Sequence, residues 1–192
     1  MESFCNFTST RCKIFDEIKQ AYDEIVQNNY PSYIDALEKF DSTTENYIRR
    51  VFGEGRSADQ AWRSCKGSLY EYAVCRAIEE IFNKIPQLSE KLTIRHGTNL
   101  TPDYREQIII SDWSEILPDT DFVVIDLITN SIKAIISCKT SIRERLTETA
   151  FWKKELSERG IQYIFVTTDK DDEIKNDTNR YIVTHVLDYT II

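Results

Sequence analysis

The spacing of apolar residues in the first part of the chain is helical. In residues 10–40 they recur every three or four positions, with an interruption near Pro31. A Ser-x-x-Glu capping signature at Ser42 predicts the start of another helix. A related signature at Ser57 predicts the start of the longest one, which ends before Pro86. The first part of the chain is therefore predicted to be helical.

Beyond this point the pattern changes to short apolar runs and to alternation of apolar with polar residues, which is typical of strands. The predicted strands cover residues 92–97, 106–111, 121–128, 131–139, 162–168 and 181–192. One helical segment, at roughly 145–159, separates the fourth strand from the fifth. This order predicts an α/β fold with a mixed β-sheet flanked by helices. At 192 residues we expect a single domain, 1–192, with a helical N-terminal part (10–55) and a core (57–192).

The third and fourth predicted strands are joined only by residues 129–130, so they should pair as a hairpin. Alternation along the fourth strand places Ser137 and Lys139 on one face of the sheet. The hairpin then brings Asp119 or Asp121 close to Lys139. Carboxylates beside a lysine suit metal-assisted hydrolysis of a phosphodiester. The carboxylates hold the metal ion, and the lysine orients the attacking water or offsets the negative charge of the transition state. A structural ion pair at a strand end is the alternative explanation.

Composition narrows the classes of partner. The net charge of −8 argues against a protein that coats nucleic acid through a large basic face, but it permits a local cationic cleft. We expect no membrane span, because no apolar run approaches the ~20 residues that a membrane helix needs. The absence of a signal-like N-terminus predicts a cytoplasmic protein. The sequence carries no nucleotide-binding glycine motif, so we expect no organic cofactor.

The chain contains five cysteines, at positions 5, 12, 65, 75 and 138. Their number is odd, and no pair has the C-x-x-C spacing of many metal or redox sites. They also do not cluster with either histidine in a pattern typical of zinc sites. We therefore expect free thiols, most of them buried.

The stretch "PDTDFVVID" (118–126) followed by "AIISCKTS" (134–141) resembles the motif of the PD-(D/E)xK nucleases. Ser137 stands where most members carry an acidic residue. The continuation "KTSIRER" (139–145) is similar to the type II restriction endonucleases that read CCGG, or CC and GG around a central base. The resemblance implies a restriction-endonuclease-like core with its active site at one sheet edge, double-stranded DNA as substrate and Mg²⁺ as cofactor. A palindromic site implies a homodimer.

The resemblance also implies roles for single residues. Asp121 resembles the metal-binding aspartate of the family, with Asp119 as its competitor, and Lys139 resembles the catalytic lysine. Because Ser137 departs from the usual carboxylate, a second metal ligand must come from elsewhere.

Three glutamates are candidates for that second carboxylate. Glu71, on the long helix ahead of the sheet, resembles a glutamate that many family members place there, and it is the favoured choice. Glu148 is the second choice, because relatives with a Ser-x-Lys arrangement take an acidic residue from the helix after the lysine. Glu155 lies on the same face of that helix as Glu148. Each could also be a solvated helix residue.

The triplet Arg143, Glu144 and Arg145 suits base recognition. Arginine can bind guanine in the major groove with two hydrogen bonds, and glutamate can accept one from cytosine. A charged helix start is the alternative. Two other functions remain open: a repair or junction-resolving nuclease of the same fold, and a DNA-binding protein that does not cut.

Overall fold

The computed structural model of the chain describes residues 3–53, 55–110, 116–142, 145–169 and 172–192, with the backbone alone for 45–50 and 145. The chain divides into two compact units, Met1–Lys84 (the N-terminal unit) and Ile85–Ile192 (the C-terminal unit). None of the described helices is long and apolar enough to cross a membrane.

The N-terminal unit is helical, as its apolar spacing predicted. Its helices are α1 (Phe15–Asn29), α2 (Tyr33–Glu38), α3 (Phe40–Phe52) and α4 (Arg56–Lys84). The long helix α4 contacts each of the other three. Aromatic rings fill the space between them, among them Tyr22, Phe40 and Tyr70, all of which are buried. The predicted capping box at Ser42 was wrong, because α3 begins two residues earlier and the Ser42 hydroxyl donates to the carbonyl of Lys39.

Two disulfides join the start of the chain to α4, between Cys5 and Cys75 and between Cys12 and Cys65. The prediction of free thiols was therefore wrong for four of the five cysteines, whereas Cys138 keeps its thiol and is buried. The paired residues are 70 and 53 positions apart in sequence. Packing of the first residues on α4 brings them together, and no local spacing rule detects such a contact.

The C-terminal unit holds a five-stranded mixed sheet of order β1-β2-β3-β4-β5, whose first three strands are antiparallel and whose last three are parallel. Its strands are β1 (Leu92–His96), β2 (Phe122–Asp126), β3 (Ser131–Lys139), β4 (Gln162–Thr167) and β5 (Tyr189–Ile191). Its helices are α5 (Pro86–Lys91), α6 (Pro102–Ile108), α7 (Arg145–Ser157) and α8 (Asp177–Tyr181). Buried residues from α6 and α7 pack with residues of β2, β3 and β4 in one apolar cluster.

Two of the predicted strands differ from the structure in kind, and the predicted strand 121–128 ends at Asp126, so the turn before β3 covers residues 127–130. In the segment predicted as a strand over 106–111, residues 106–108 form the end of α6 and Ile110 forms a single bridge with Ile116, while position 111 lies outside the described residues. Ile108 and Ile110 are buried, as they would be in a strand, and so short an apolar run does not distinguish a helix from a strand. In the segment 181–192 a π-helical turn, Ile182–Val186, precedes the short strand β5.

Candidate functional site

Lys139 ends β3 between two carboxylates. Its Nζ lies 2.8 Å from Oδ2 of Asp119 and 3.0 Å from Oδ2 of Asp121. The β2–β3 hairpin causes this meeting, because the N–H of Asp121 donates to the carbonyl of Ile136 at 3.1 Å, next to the first register pair of β2 and β3. The structure thus brings both candidate aspartates to the lysine, as the hairpin predicted.

The carboxylate of Asp121 is also held by the main chain of β3. The N–H of Cys138 donates to its Oδ2 at 2.6 Å. The side chain of Asp121 is 14% exposed, and that of Asp119 is 35% exposed. Asp121 is therefore the more firmly placed carboxylate, whereas Asp119 presents the more accessible one.

The turn 118–121, which carries both aspartates, packs closely against the residue that follows β1. Gly97 donates its N–H to the carbonyl of Asp121 at 2.8 Å. A Cβ added at Gly97 would lie only 2.1 Å from the carbonyl oxygen of Thr120, far inside contact distance. The close approach therefore requires glycine. Sequence reasoning missed this role, although a glycine directly after an apolar strand was a usable signal.

A tyrosine of β4 supports the same turn from the other side. The hydroxyl of Tyr163 donates to the main-chain carbonyl of Asp119 at 3.0 Å, and the residue is fully buried. Ser137 is buried nearby, with Oγ 3.5 Å from Oδ2 of Asp119. Sequence reasoning missed Tyr163, which looked like core. The signal was its hydroxyl, because a buried tyrosine oxygen usually finds a partner.

The charges of the site act on Lys139 and Tyr163. Burial lowers the pKa of Lys139, but the charges of Asp121 and Asp119 and their hydrogen bonds outweigh it, so the pKa is raised. The pKa of Tyr163 is raised, first by burial and also by Asp119, Asp121 and Glu148, against a hydrogen bond from Ser137 that lowers it. Both groups therefore keep their protons at neutral pH.

The glutamates predicted as further ligands are placed differently. Glu148 lies in the first turn of α7, accepts a hydrogen bond from Trp152 Nε1 at 3.4 Å, and acts electrostatically on Tyr163. Glu155 is half-buried further along α7. Glu71 is half-buried on α4, in the N-terminal unit. Among the residues that the structure describes, no three histidine, cysteine or acidic side chains are grouped so as to hold a metal ion. All three assignments stay predictions.

The predicted base-reading triplet is largely outside the described residues. Arg143 and Glu144 belong to the undescribed positions, and the side chain of Arg145, at the start of α7, is not described. The flanking residues Ile142 and Leu146 are fully buried. The role of the triplet stays a prediction.

Residues 99–191 match the model of the family described as BsaWI restriction endonuclease type 2. A putative type II restriction enzyme of Methanocaldococcus jannaschii is 29% identical over 143 residues, which cover 68% of this chain and 63% of that protein. A probable type II restriction enzyme of Helicobacter pylori is 30% identical over 118 residues, covering 53% and 61%. The chain thus spans less than two thirds of the length of these relatives.

A solved structure is also similar, the restriction endonuclease PspGI in complex with its substrate DNA. The TM-score is 0.53 at 16% sequence identity, over 92% of this chain and 75% of that one. At this identity the likeness concerns the fold. The predicted restriction-endonuclease-like fold, a mixed sheet flanked by helices with a helical N-terminal region, is confirmed. The matches extend the similarity to type II restriction endonucleases beyond the motif, whereas recognition of CCGG-type sites is not part of them.

Proposed function

We propose that this chain is a type II restriction endonuclease that hydrolyses phosphodiester bonds of double-stranded DNA at a short palindrome containing CC/GG, with Mg²⁺ as cofactor. The observation that carries the proposal is the meeting of Asp119, Asp121 and Lys139 at the carboxyl end of β3, the central strand of the sheet. These residues lie within the region 99–191 that matches a restriction endonuclease family. Acidic side chains beside a lysine that is only 13% exposed suit phosphodiester hydrolysis, with a structural ion pair as the alternative explanation.

The acidic residues fit a divalent cation. The Oδ2 atoms of Asp119 and Asp121 both lie within 3.0 Å of the Lys139 ammonium nitrogen, so the two carboxylates are close neighbours. Each carboxylate has lone pairs beyond those that the ammonium uses, and these could bind a metal ion. Mg²⁺ commonly binds one or two carboxylates, with water and substrate phosphate as its other ligands. When bound there, the ion would polarise a phosphate oxygen and acidify a water molecule.

Lys139 acts as a fixed cation in this mechanism. Its raised pKa keeps the ammonium protonated, so it serves as a hydrogen-bond donor rather than a base. The ammonium orients the attacking water and offsets the negative charge that develops on the phosphate. The water oxygen bonds to phosphorus and the bond to the 3′ oxygen breaks. The water proton passes to solvent, and the leaving 3′ oxygen takes up a proton from solvent.

Specificity in this proposal comes from Arg143, Glu144 and Arg145, which would contact base edges in the major groove. A palindrome presents the same contacts twice, so the active species would be a homodimer with two active sites. The acidic net charge of −8 would limit non-specific binding to the DNA backbone.

A cleavage assay tests the proposal. A duplex library that contains every short palindrome is incubated with the protein and Mg²⁺, beside an EDTA control and the variant Lys139→Ala. We expect cuts at one sequence class, abolished in both controls. Cutting at branched rather than linear DNA would instead favour a junction-resolving nuclease. Binding without cutting in any condition would leave a non-catalytic DNA-binding protein.

The second carboxylate is tested in the same assay by three separate variants, Glu71→Gln, Glu148→Gln and Glu155→Gln. The variant that removes a metal ligand should raise the Mg²⁺ concentration needed for half-maximal cleavage, because the charge that attracts the ion is lost. The other two should behave as the unmodified protein. Equal responses of all three would contradict a single dedicated glutamate.

A further inference from the structure

We propose that Tyr163 is a positioning residue for the candidate active site, whose hydroxyl holds the turn 118–121 so that Asp119 reaches Lys139. The inference rests on the proposed function, because the position of Asp119 matters to catalysis only if its carboxylate serves the reaction. Its structural content, that the hydroxyl holds the turn, can be tested without any cleavage.

The turn is held at three points of its main chain. The Tyr163 hydroxyl donates to the carbonyl of Asp119 at 3.0 Å. The N–H of Asp121 donates to Ile136 of β3 at 3.1 Å, and the carbonyl of Asp121 accepts from Gly97 at 2.8 Å. The last two contacts are backbone to backbone. The contact from Tyr163 therefore differs in kind, because a side chain supplies it and a substitution can remove it alone.

The hydroxyl and the ring of Tyr163 have separate roles. The ring belongs to the apolar cluster between the sheet and α7, together with Ile135 and Trp152. The hydroxyl points out of that cluster to the main-chain carbonyl of Asp119. Ser137 lies 3.5 Å from the carboxylate of Asp119. Tyr163 and Ser137 thus support both the main chain and the side chain of this aspartate.

The contact from Tyr163 is a single hydrogen bond of 3.0 Å, made by a fully buried side chain. Displacement of a catalytic carboxylate by about 1 Å can reduce a rate by about 100-fold, which makes a single supporting hydrogen bond consequential.

The test compares Tyr163→Phe with Tyr22→Phe. Both changes remove one hydroxyl from a buried tyrosine, but the Tyr22 hydroxyl has no hydrogen-bond partner among the described residues, and Tyr22 lies in the N-terminal unit. Two quantities are measured for each variant: steady-state DNA cleavage, and hydrogen exchange of the amides of Gly97 and Asp121 in the full chain.

For Tyr163→Phe we expect kcat to fall by about tenfold or more with KM for DNA changed less than about twofold, because a positioning residue affects the reaction more than binding. Exchange at Gly97 and Asp121 should become faster, while Tyr22→Phe leaves both measurements unchanged. An unchanged kcat, or unchanged exchange at the two amides, overturns the proposal. If the unmodified protein cuts no DNA, the proposed function fails, and exchange alone then decides whether Tyr163 holds the turn.

Discussion

The carboxylate of Asp121 accepts a hydrogen bond from the main-chain N–H of Cys138 at 2.6 Å, so the backbone of β3 itself sets the position of this acid. The carboxylate of Asp119 lies at the same lysine but is more exposed. The two aspartates are therefore unequal, although the sequence left the choice between them open.

This inequality predicts different losses for the two substitutions. Asp121→Asn should reduce the single-turnover cleavage rate by about 1,000-fold or more, because it removes the better fixed charge beside the lysine. Asp119→Asn should reduce the rate less and should chiefly raise the Mg²⁺ requirement. Measuring both rates across a Mg²⁺ titration checks the order. A larger loss for Asp119→Asn would reverse the assignment of the metal-binding aspartate.

The raised pKa of Lys139 predicts a pH dependence of stability. A lysine whose folded pKa lies above its unfolded value stabilises the fold fully below the unfolded pKa, and this contribution is lost as pH rises through the folded pKa. The ordinary value is 10.5. The difference in unfolding free energy between the unmodified protein and Lys139→Met should therefore be constant near neutral pH and should shrink above that value.

Urea denaturation of the two proteins at a series of pH values measures this difference. Other lysines and tyrosines titrate equally in both proteins, so their effects cancel. A difference that grows as pH rises above 10.5 would contradict the ion pairs of Lys139 as the cause.

The close approach of Gly97 to Thr120 predicts that even a methyl side chain at position 97 lowers the stability of the protein. Gly97→Ala should destabilise the protein by about 1–3 kcal/mol and should reduce cleavage, because the turn that carries both aspartates must move away. Gly67→Ala is the matched control. Gly67 lies within α4, and a Cβ added there would meet no atom within 4 Å, so alanine should stabilise by up to about 1 kcal/mol. Urea denaturation of both variants tests the contrast, and equal stability changes would contradict it.

The two disulfides predict sensitivity to reductant. By loop entropy, either disulfide alone would contribute about 4 kcal/mol to the free energy of unfolding, and the two together contribute less than the sum because one loop lies inside the other. Adding a reductant should therefore lower the Tm of the purified protein. A variant with Cys5, Cys12, Cys65 and Cys75 all changed to serine should not respond.

Thiol counting under denaturing conditions supplies the independent check. Without reductant, one reactive thiol, that of Cys138, is expected. Five reactive thiols in the freshly purified protein would mean that the pairs do not form under those conditions.

The triplet after the lysine predicts a change in specificity rather than a uniform loss. Replacing Arg143 or Arg145 with lysine should cost about 1–3 kcal/mol of discrimination at one base pair, because the two parallel hydrogen bonds to guanine are lost. Lys154→Gln, on α7, should instead weaken binding to all sequences alike and reduce its salt dependence. Sequencing the cut ends from a randomised library distinguishes these outcomes. Unchanged specificity in both arginine variants would contradict base reading by the triplet.

The sequence by itself determined the parts of the structure that depend on neighbours along the chain. The apolar run 131–139 is β3, with the bounds predicted, and a short link can pair it with the strand before it only as a hairpin. That pairing sets the register, and the register brings the aspartates to Lys139. The motif at these residues therefore predicted the fold and which side chains meet at the end of β3, whereas their roles stay predictions.

Only the tertiary structure decided the contacts made between distant segments. Tyr163 reaches Asp119 because β4 lies parallel to β3, and Gly97 meets Thr120 because β1 ends beside the turn. The disulfides and the helical state of residues 102–108 have the same origin. The physical reason is that an apolar or small residue has the same local pattern whether it fills the core or supports a site, and packing alone distinguishes the two.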